Sequence, residues 1–138
     1  MDNEKLIEKL NHALNREVTT FLRYLLQSAQ IKGAKWESVR TMYRTEVLDE
    51  VGHAQYLADK IVMLGGSPKL NPSLGVPPTT VEEMLEADIR EENADVTGYM
   101  ELAKLAEEAG MPALKMQMEN QAADEASHAE IMTRMLSE

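Results

Sequence analysis

The pair Glu50-x-x-His53 recurs as Glu125-x-x-His128, and a lone glutamate precedes each copy at one and the same interval. Adding 75 to Glu17, Glu50 and His53 gives Glu92, Glu125 and His128. The same shift carries Tyr24 onto Tyr99, Asp49 onto Asp124 and Ala54 onto Ala129. Residues three apart on a helix lie on one face, a turn apart, so a carboxylate and an imidazole at that spacing reach one metal position. The chain therefore reads as two copies of a helical hairpin. Each copy offers one glutamate from its first helix and Glu-x-x-His from its second, which is the ligand set of a dinuclear, carboxylate-bridged site inside a four-helix bundle.

The rest of the chain supplies four helices to carry that pattern. The first is expected over about 3–32, with Leu6, Leu10, Ala13, Glu17, Tyr24, Ser28 and Ile31 on its buried face. Asp2 or Asn3 caps its start, and Gly33 ends it. The short link to the second helix, over about 36–64, makes the two antiparallel. Trp36, Val39, Tyr43, Val47, Glu50, Ala54, Leu57, Ile61 and Leu64 mark the inner stripe of that helix, with His53 beside it. Residues 65–79 hold four of the five prolines and three of the seven glycines. They read as a long crossover within a single domain, 1–138, because neither half alone is long enough to bury a core. The third helix, about 80–109, opens on a Thr80–Glu83 capping box. Its stripe is Val81, Leu85, Asp88, Glu92, Val96, Tyr99, Ala103 and Ala106, which turns Glu91 about 100° away from the site. The fourth, about 112–137, has Pro112 in its first turn and Leu114, Met118, Gln121, Glu125, His128, Met132 and Met135 along one seam.

An acidic residue on a helix is ordinarily solvated. Glu50 and Glu125 depart from that expectation because their stripes are otherwise apolar. A buried carboxylate needs a partner or a proton. Hydrogen-bonded Glu–His pairs would satisfy them without metal, but the two-fold pattern favours metal. His12 lacks the spacing and reads as a surface or packing residue. The methionines read as core filler. Tyr24, two turns beyond Glu17, either donates a hydrogen bond near the site or is simply packed.

Four carboxylates and two neutral imidazoles carry a formal charge of −4, which two divalent ions balance. Mixed oxygen and nitrogen donors suit iron or manganese, and zinc also fits. Glu50 and Glu125 are the natural bridges, with Glu17 and Glu92 as terminal ligands. With no cysteine in the chain, disulfides, iron–sulfur clusters and thiolate zinc sites are excluded, and a reducing cytoplasm is compatible. A charged N-terminal stretch and the lack of a long apolar run argue against a signal peptide or a membrane span. The net charge of −10 repels nucleic acid and gathers cations.

The segments LNREVTTFLRY around Glu17, EVLDEVGHA around Glu50 and His53, the LGGSP turn, DIREE ending at Glu92, and DEASHAE around Glu125 and His128 resemble the bacterioferritin and ferritin-like di-iron carboxylate family. The resemblance implies an all-α, ferritin-like four-helix bundle of two antiparallel hairpins joined by a long crossover. It also implies a ferroxidase-type centre of two iron ions per chain, acting on Fe(II) with oxygen or hydrogen peroxide in iron storage or detoxification. Bacterioferritins place a haem-ligating Met directly after the bridging Glu of the second helix. Val51 stands there in this chain, so haem by that route is not expected. The family's short fifth helix is also not expected, because the sequence ends ten residues after His128. Rubrerythrin-like peroxide reduction is the alternative chemistry, although its usual rubredoxin partner domain needs cysteines. DNA-protecting mini-ferritins, with sites between subunits and a basic tail, fit less well. A non-enzymatic helical interaction module is the third alternative. Leu22, Leu26, Tyr56 and Met63 lie off the inner stripes and are expected to form an apolar patch that a homodimer or larger homo-oligomer buries near Val51.

Overall fold

The computed structural model describes residues 3–137. Four α-helices account for most of them: α1 (Glu4–Gln30), α2 (Glu37–Met63), α3 (Val81–Glu108) and α4 (Pro112–Leu136), with a 3₁₀ turn at Ala34–Trp36 before α2. No strand occurs among the described residues. The first helix stops two residues short of the expected end, at Ile31, whose backbone is extended. Trp36 belongs to the 3₁₀ turn and not to α2. Asn3 stands at the N-cap of α1 without a side-chain capping bond, and Asp2 lies outside the described residues. The Thr80–Glu83 capping box and Pro112 in the first turn of α4 are as the sequence indicates.

Two helices end in the same way. The Gly66 amide donates to the Ile61 carbonyl and the Gly65 amide to Val62; Met111 and Gly110 do the same to Ala106 and Glu107. This paired pattern needs a left-handed residue at its turn, and Gly65 (φ 92°) and Gly110 (φ 72°) supply it. Such an ending lets α3 return at once as α4, whereas the chain after α2 leaves the bundle end and travels.

Its path is fixed by side chains of α1. Asn11 bonds the Ser67 carbonyl and the Lys69 amide, Asn15 the Lys69 carbonyl and the Asn71 amide, and Thr19 the Ser73 amide. Asn11, Asn15 and Thr19 are four residues apart, one helical face. The crossover thus lies along α1, running in the same direction, and brings the start of α3 to the end of the bundle where α1 finishes. As a result α3 is antiparallel to α1: Arg16 meets Asp95 while Arg23 meets Asp88. On the opposite side α4 is antiparallel to α2, with His53 against Asp124 and His128 against Asp49.

The core falls into two apolar clusters, one at each end. Leu10, Leu57, Ile61, Ala106 and Met118 belong to the first, and Ile31, Val39, Tyr43, Leu85 and Met132 to the second. Between them the bundle axis is lined by polar groups. Trp36, Val47, Leu64, Val96 and Met135 are only half-buried, at the edges of the stripes on which the spacing put them. Leu26 and Met63 are exposed as expected. Leu22 and Tyr56 depart from the expected patch, because both pack partly against the first core cluster.

Candidate metal centre

Between the two apolar clusters the six residues of the repeated pattern converge. Glu17, Glu50, Glu92, Glu125, His53 and His128 are all buried. They form two overlapping sets of donors. Glu17, Glu50, His53 and Glu125 make one and Glu50, Glu92, Glu125 and His128 the other; in each set the donor atoms lie within 4.8 Å of one another. Glu50 and Glu125 belong to both sets, whereas each terminal glutamate and each histidine belongs to one. His53 Nδ1 lies 3.6 Å from Glu17 Oε2 and from Glu125 Oε1. His128 Nδ1 lies 3.3 Å from Glu50 Oε1 and Glu125 Oε1 and 3.4 Å from Glu92 Oε2. Each imidazole therefore turns Nδ1 inward.

The outer nitrogen of each ring is held across the bundle. His53 Nε2 pairs with Asp124 at 2.8 Å, and His128 Nε2 with Asp49 at 3.1 Å. A carboxylate there holds the proton on Nε2 and leaves the Nδ1 lone pair free for a cation. Asp49 and Asp124 are mates under the 75-residue shift, and each serves the histidine of the other hairpin. The tyrosines cross in the same manner. Tyr24 of α1 donates to Glu92 of α3 at 2.6 Å, and Tyr99 of α3 donates to Glu17 of α1. Of the two readings open for Tyr24, the hydrogen-bonding one holds.

Removing Asp49 or Asp124 leaves the six donors in place but frees one ring. The Asp49→Asn and Asp124→Asn variants are each expected to weaken divalent-cation binding by about 10–100-fold at the position of the histidine concerned. Isothermal titration with Co(II) measures this; unchanged affinity in both would deny these aspartates an orienting role.

The carboxylates stand in a setting that disfavours charge. Glu50 Oε1 and Oε2, Glu125 Oε1 and Oε2, Glu17 Oε2, Glu92 Oε1 and both Nδ1 atoms have no hydrogen-bond partner. Burial pushes Glu125 up to about 12, with Glu17 and Glu92 adding repulsion. Glu50 is raised well above the usual carboxylate range by burial and by Glu17. Burial works against Glu17 too, but contacts with His53 and Glu50 outweigh it and hold the group low. Burial opposes the charged form of His128, yet Glu50 and Glu92 lift it to about 12. Protons thus serve as the counter-charge of this cluster, and divalent cations are chemically suited to take their place. An orphaned donor set of four carboxylates and two inward imidazoles fits a pair of such cations.

Sequence reasoning overlooked part of this setting. Glu46, one turn before Glu50, is buried with its Oε1 3.8 Å from His128 Nδ1. Burial, reinforced by the neighbouring Glu92 and Asp49, raises it to about 8. Asp95 is also buried, where Arg16 holds it. Asp88, on the inner stripe where the spacing put it, accepts from Arg23, Gln27 and Tyr43 at 2.9, 2.8 and 2.7 Å and ties three helices together beside the site. The expected placements of Glu91 and His12 are observed, both exposed.

Four helices, one long crossover and carboxylate–imidazole pairs turned to the axis place the chain in the ferritin-like class of helical proteins. The family model for the ferritin-like domain matches residues 7–138, and the chain belongs to that family. It is similar to a ferritin-like, diiron-carboxylate protein from Bacillus anthracis str. Ames, with a TM-score of 0.94 and 32% identity over 99% of this chain and 100% of that one. A bacterioferritin from Brucella melitensis is 28% identical over 136 residues, which is 96% of this chain and 83% of that protein. A bacterial ferritin from Pseudomonas aeruginosa is 32% identical over 86 residues, 62% of this chain. That match spans 56% of the Pseudomonas protein's length.

Proposed function

We propose that this chain binds two iron ions through Glu17, Glu50, His53, Glu92, Glu125 and His128 and oxidises Fe(II) in a ferroxidase-type reaction serving iron storage or detoxification. One observation carries the reading: two buried donor sets share Glu50 and Glu125. A carboxylate shared by both sets would serve a cation at each position, so Glu50 and Glu125 would link the two. Bound there, two Fe(II) ions would each give up one electron, and the two electrons with two protons would reduce oxygen to hydrogen peroxide, or hydrogen peroxide to two waters. Manganese or zinc would find the same donors.

The chain's own residues set the conditions. Glu17 and Glu92 bind one position each, steered by the hydroxyls of Tyr99 and Tyr24. His53 and His128 bind through Nδ1, oriented by Asp124 and Asp49. The apolar clusters above and below exclude bulk water and strengthen every charge interaction between them. The similarity to bacterioferritin supports the storage reading. The exposed side chains Leu26, Val51 and Met63 support association into a homodimer or larger homo-oligomer. The same reading places the protein in the cytoplasm; among the described residues no helix is long and apolar enough to cross a membrane.

Mixing the metal-free chain anaerobically with two equivalents of Fe(II) and then admitting oxygen, or peroxide in a parallel run, tests the proposal. Ferric absorbance should rise faster than in buffer and reach an amplitude of two irons per chain. A rate equal to that in buffer with both oxidants would refute it, and the faster oxidant identifies the working one.

A further inference from the structure

The 75-residue repeat is broken next to the site. The mate of Glu46 is Gln121. Both are buried, at 3% and 0% exposure, on the helices that carry the shared carboxylates. Neither oxygen of Glu46 has a hydrogen-bond partner, and Oε1 faces His128 Nδ1 at 3.8 Å. Gln121 instead accepts from Gln117 at 3.0 Å and brings no charge. A cleft of about 430 Å³ between α2 and α4 leads inward to Glu46 and His128. Asp49 and Asp124 line it, with side chains 53% and 56% exposed.

Building on the dinuclear reading, we propose that Glu46 is a seventh cation ligand, serving the Glu92–His128 position alone, so that the two positions are unequal and this one fills first. A carboxylate buried without a partner is costly and is offset by a cation within reach. Its only inward neighbour among the site histidines is His128; no contact with His53 accompanies it. A cation entering by the cleft meets the exposed aspartates, then Glu46, then the inner donors. Attraction to one further anion in this buried setting is worth at least about tenfold in affinity.

The test uses the full chain, metal-free, titrated with Co(II) under visible absorption and calorimetry. The native protein should show two resolved steps, and crystals loaded with one equivalent should show anomalous density at Glu92–His128. The Glu46→Gln variant, which copies the residue of the other hairpin, should lose about tenfold or more in the first step and merge it with the second. It should keep a capacity of two, which shows that the bundle is intact. Gln121→Glu should strengthen the weaker step. Two equal steps in the native chain, first occupancy at Glu17–His53, or a Glu46→Gln titration identical to the native one would each overturn the proposal while leaving the dinuclear reading standing. A chain that binds no Co(II) at all would overturn both.

Discussion

Replacing Glu125 by alanine is expected to slow Fe(II) oxidation by about 100-fold or more, since losses of outer partners alone cost about 10–100-fold in such sites. Glu125 contributes to both donor sets, so its loss disturbs both cation positions. Glu50→Ala should match it for the same reason. Glu17→Ala strips only the His53 set and leaves Glu50, Glu92, Glu125 and His128 together, so one cation per chain should still bind. Stopped-flow oxidation with a parallel metal count separates these cases, and equal losses from all three would remove the distinction between shared and terminal carboxylates. The variant should also fold. Deleting a carboxyl that burial drives to about 12 relieves a cost in the metal-free chain, so the melting temperature of Glu125→Ala without metal should equal or exceed the native value. Catalytic loss with undiminished stability marks a residue kept for its chemistry.

The second large effect is on stability. Burial is the first cause that raises Glu46 to about 8, Asp95 to about 7 and Glu125 to about 12, and it also raises Glu50. Each keeps its proton in the folded chain and gives it up in the unfolded chain above about pH 4–5. Unfolding then releases protons, and the stability these groups provide at low pH is lost as pH rises towards 8. His53 and His128, both raised, act with the same sign above about pH 6.5. Glu17, held low, has the opposite sign, but its effect falls below about pH 4–5, where stability is lost as pH drops, and adds no slope between pH 5 and 8. The metal-free protein should therefore melt at a progressively lower temperature between about pH 5 and 8. Divalent cations compete with these protons, so their protection should grow over the same interval, to the order of 10–20 °C at saturating Co(II) near neutrality. Calorimetric scans at several pH values, with and without cation, measure both trends. A metal-free melting temperature that climbs with pH would contradict this account of the buried charges.

Much of the centre was legible because its determinants are periodic. Glu17, Glu50, Glu92 and Glu125 share stripes with Leu10, Leu57, Leu85 and Met118, and a charge on an apolar stripe is conspicuous. Asp49 and Asp124 were visible as repeat mates, but their work is done across the bundle. The crossed pairing of each aspartate with the other hairpin's histidine has no local spacing to betray it. Glu46 stayed hidden for a related reason. With Arg44, Thr45 and Asp49 around it in sequence, it reads as one more solvated charge, and only the approach of α4 encloses it. The signal that could have exposed it was the repeat itself, since a Glu/Gln mismatch beside matched ligands is an asymmetry. Leu22 and Tyr56 lie off the inner stripes but are half-buried, because a large side chain at the edge of a stripe still reaches the core. The ladder of Asn11, Asn15 and Thr19 has no signal of its own in the sequence, because its partner is backbone.

That ladder makes the crossover a tether laid on the outside of the bundle, while the hydrogen bonds of Tyr24, Tyr99, His53 and His128 across the centre join one hairpin to the other. Each half of the chain carries three of the four donors of one set and a single donor of the other, so neither hairpin completes a cation position by itself. The tether's contribution is to hold the halves at an effective concentration on the order of millimolar. If the chain were cut between 67 and 75, docking of the halves would become bimolecular, governed by dilution and by the supply of divalent cation. The crossover and a divalent cation bound between the hairpins would in that sense be alternative fasteners for the same seam: the crossover is covalent and permanent, the cation withdrawn whenever it leaves.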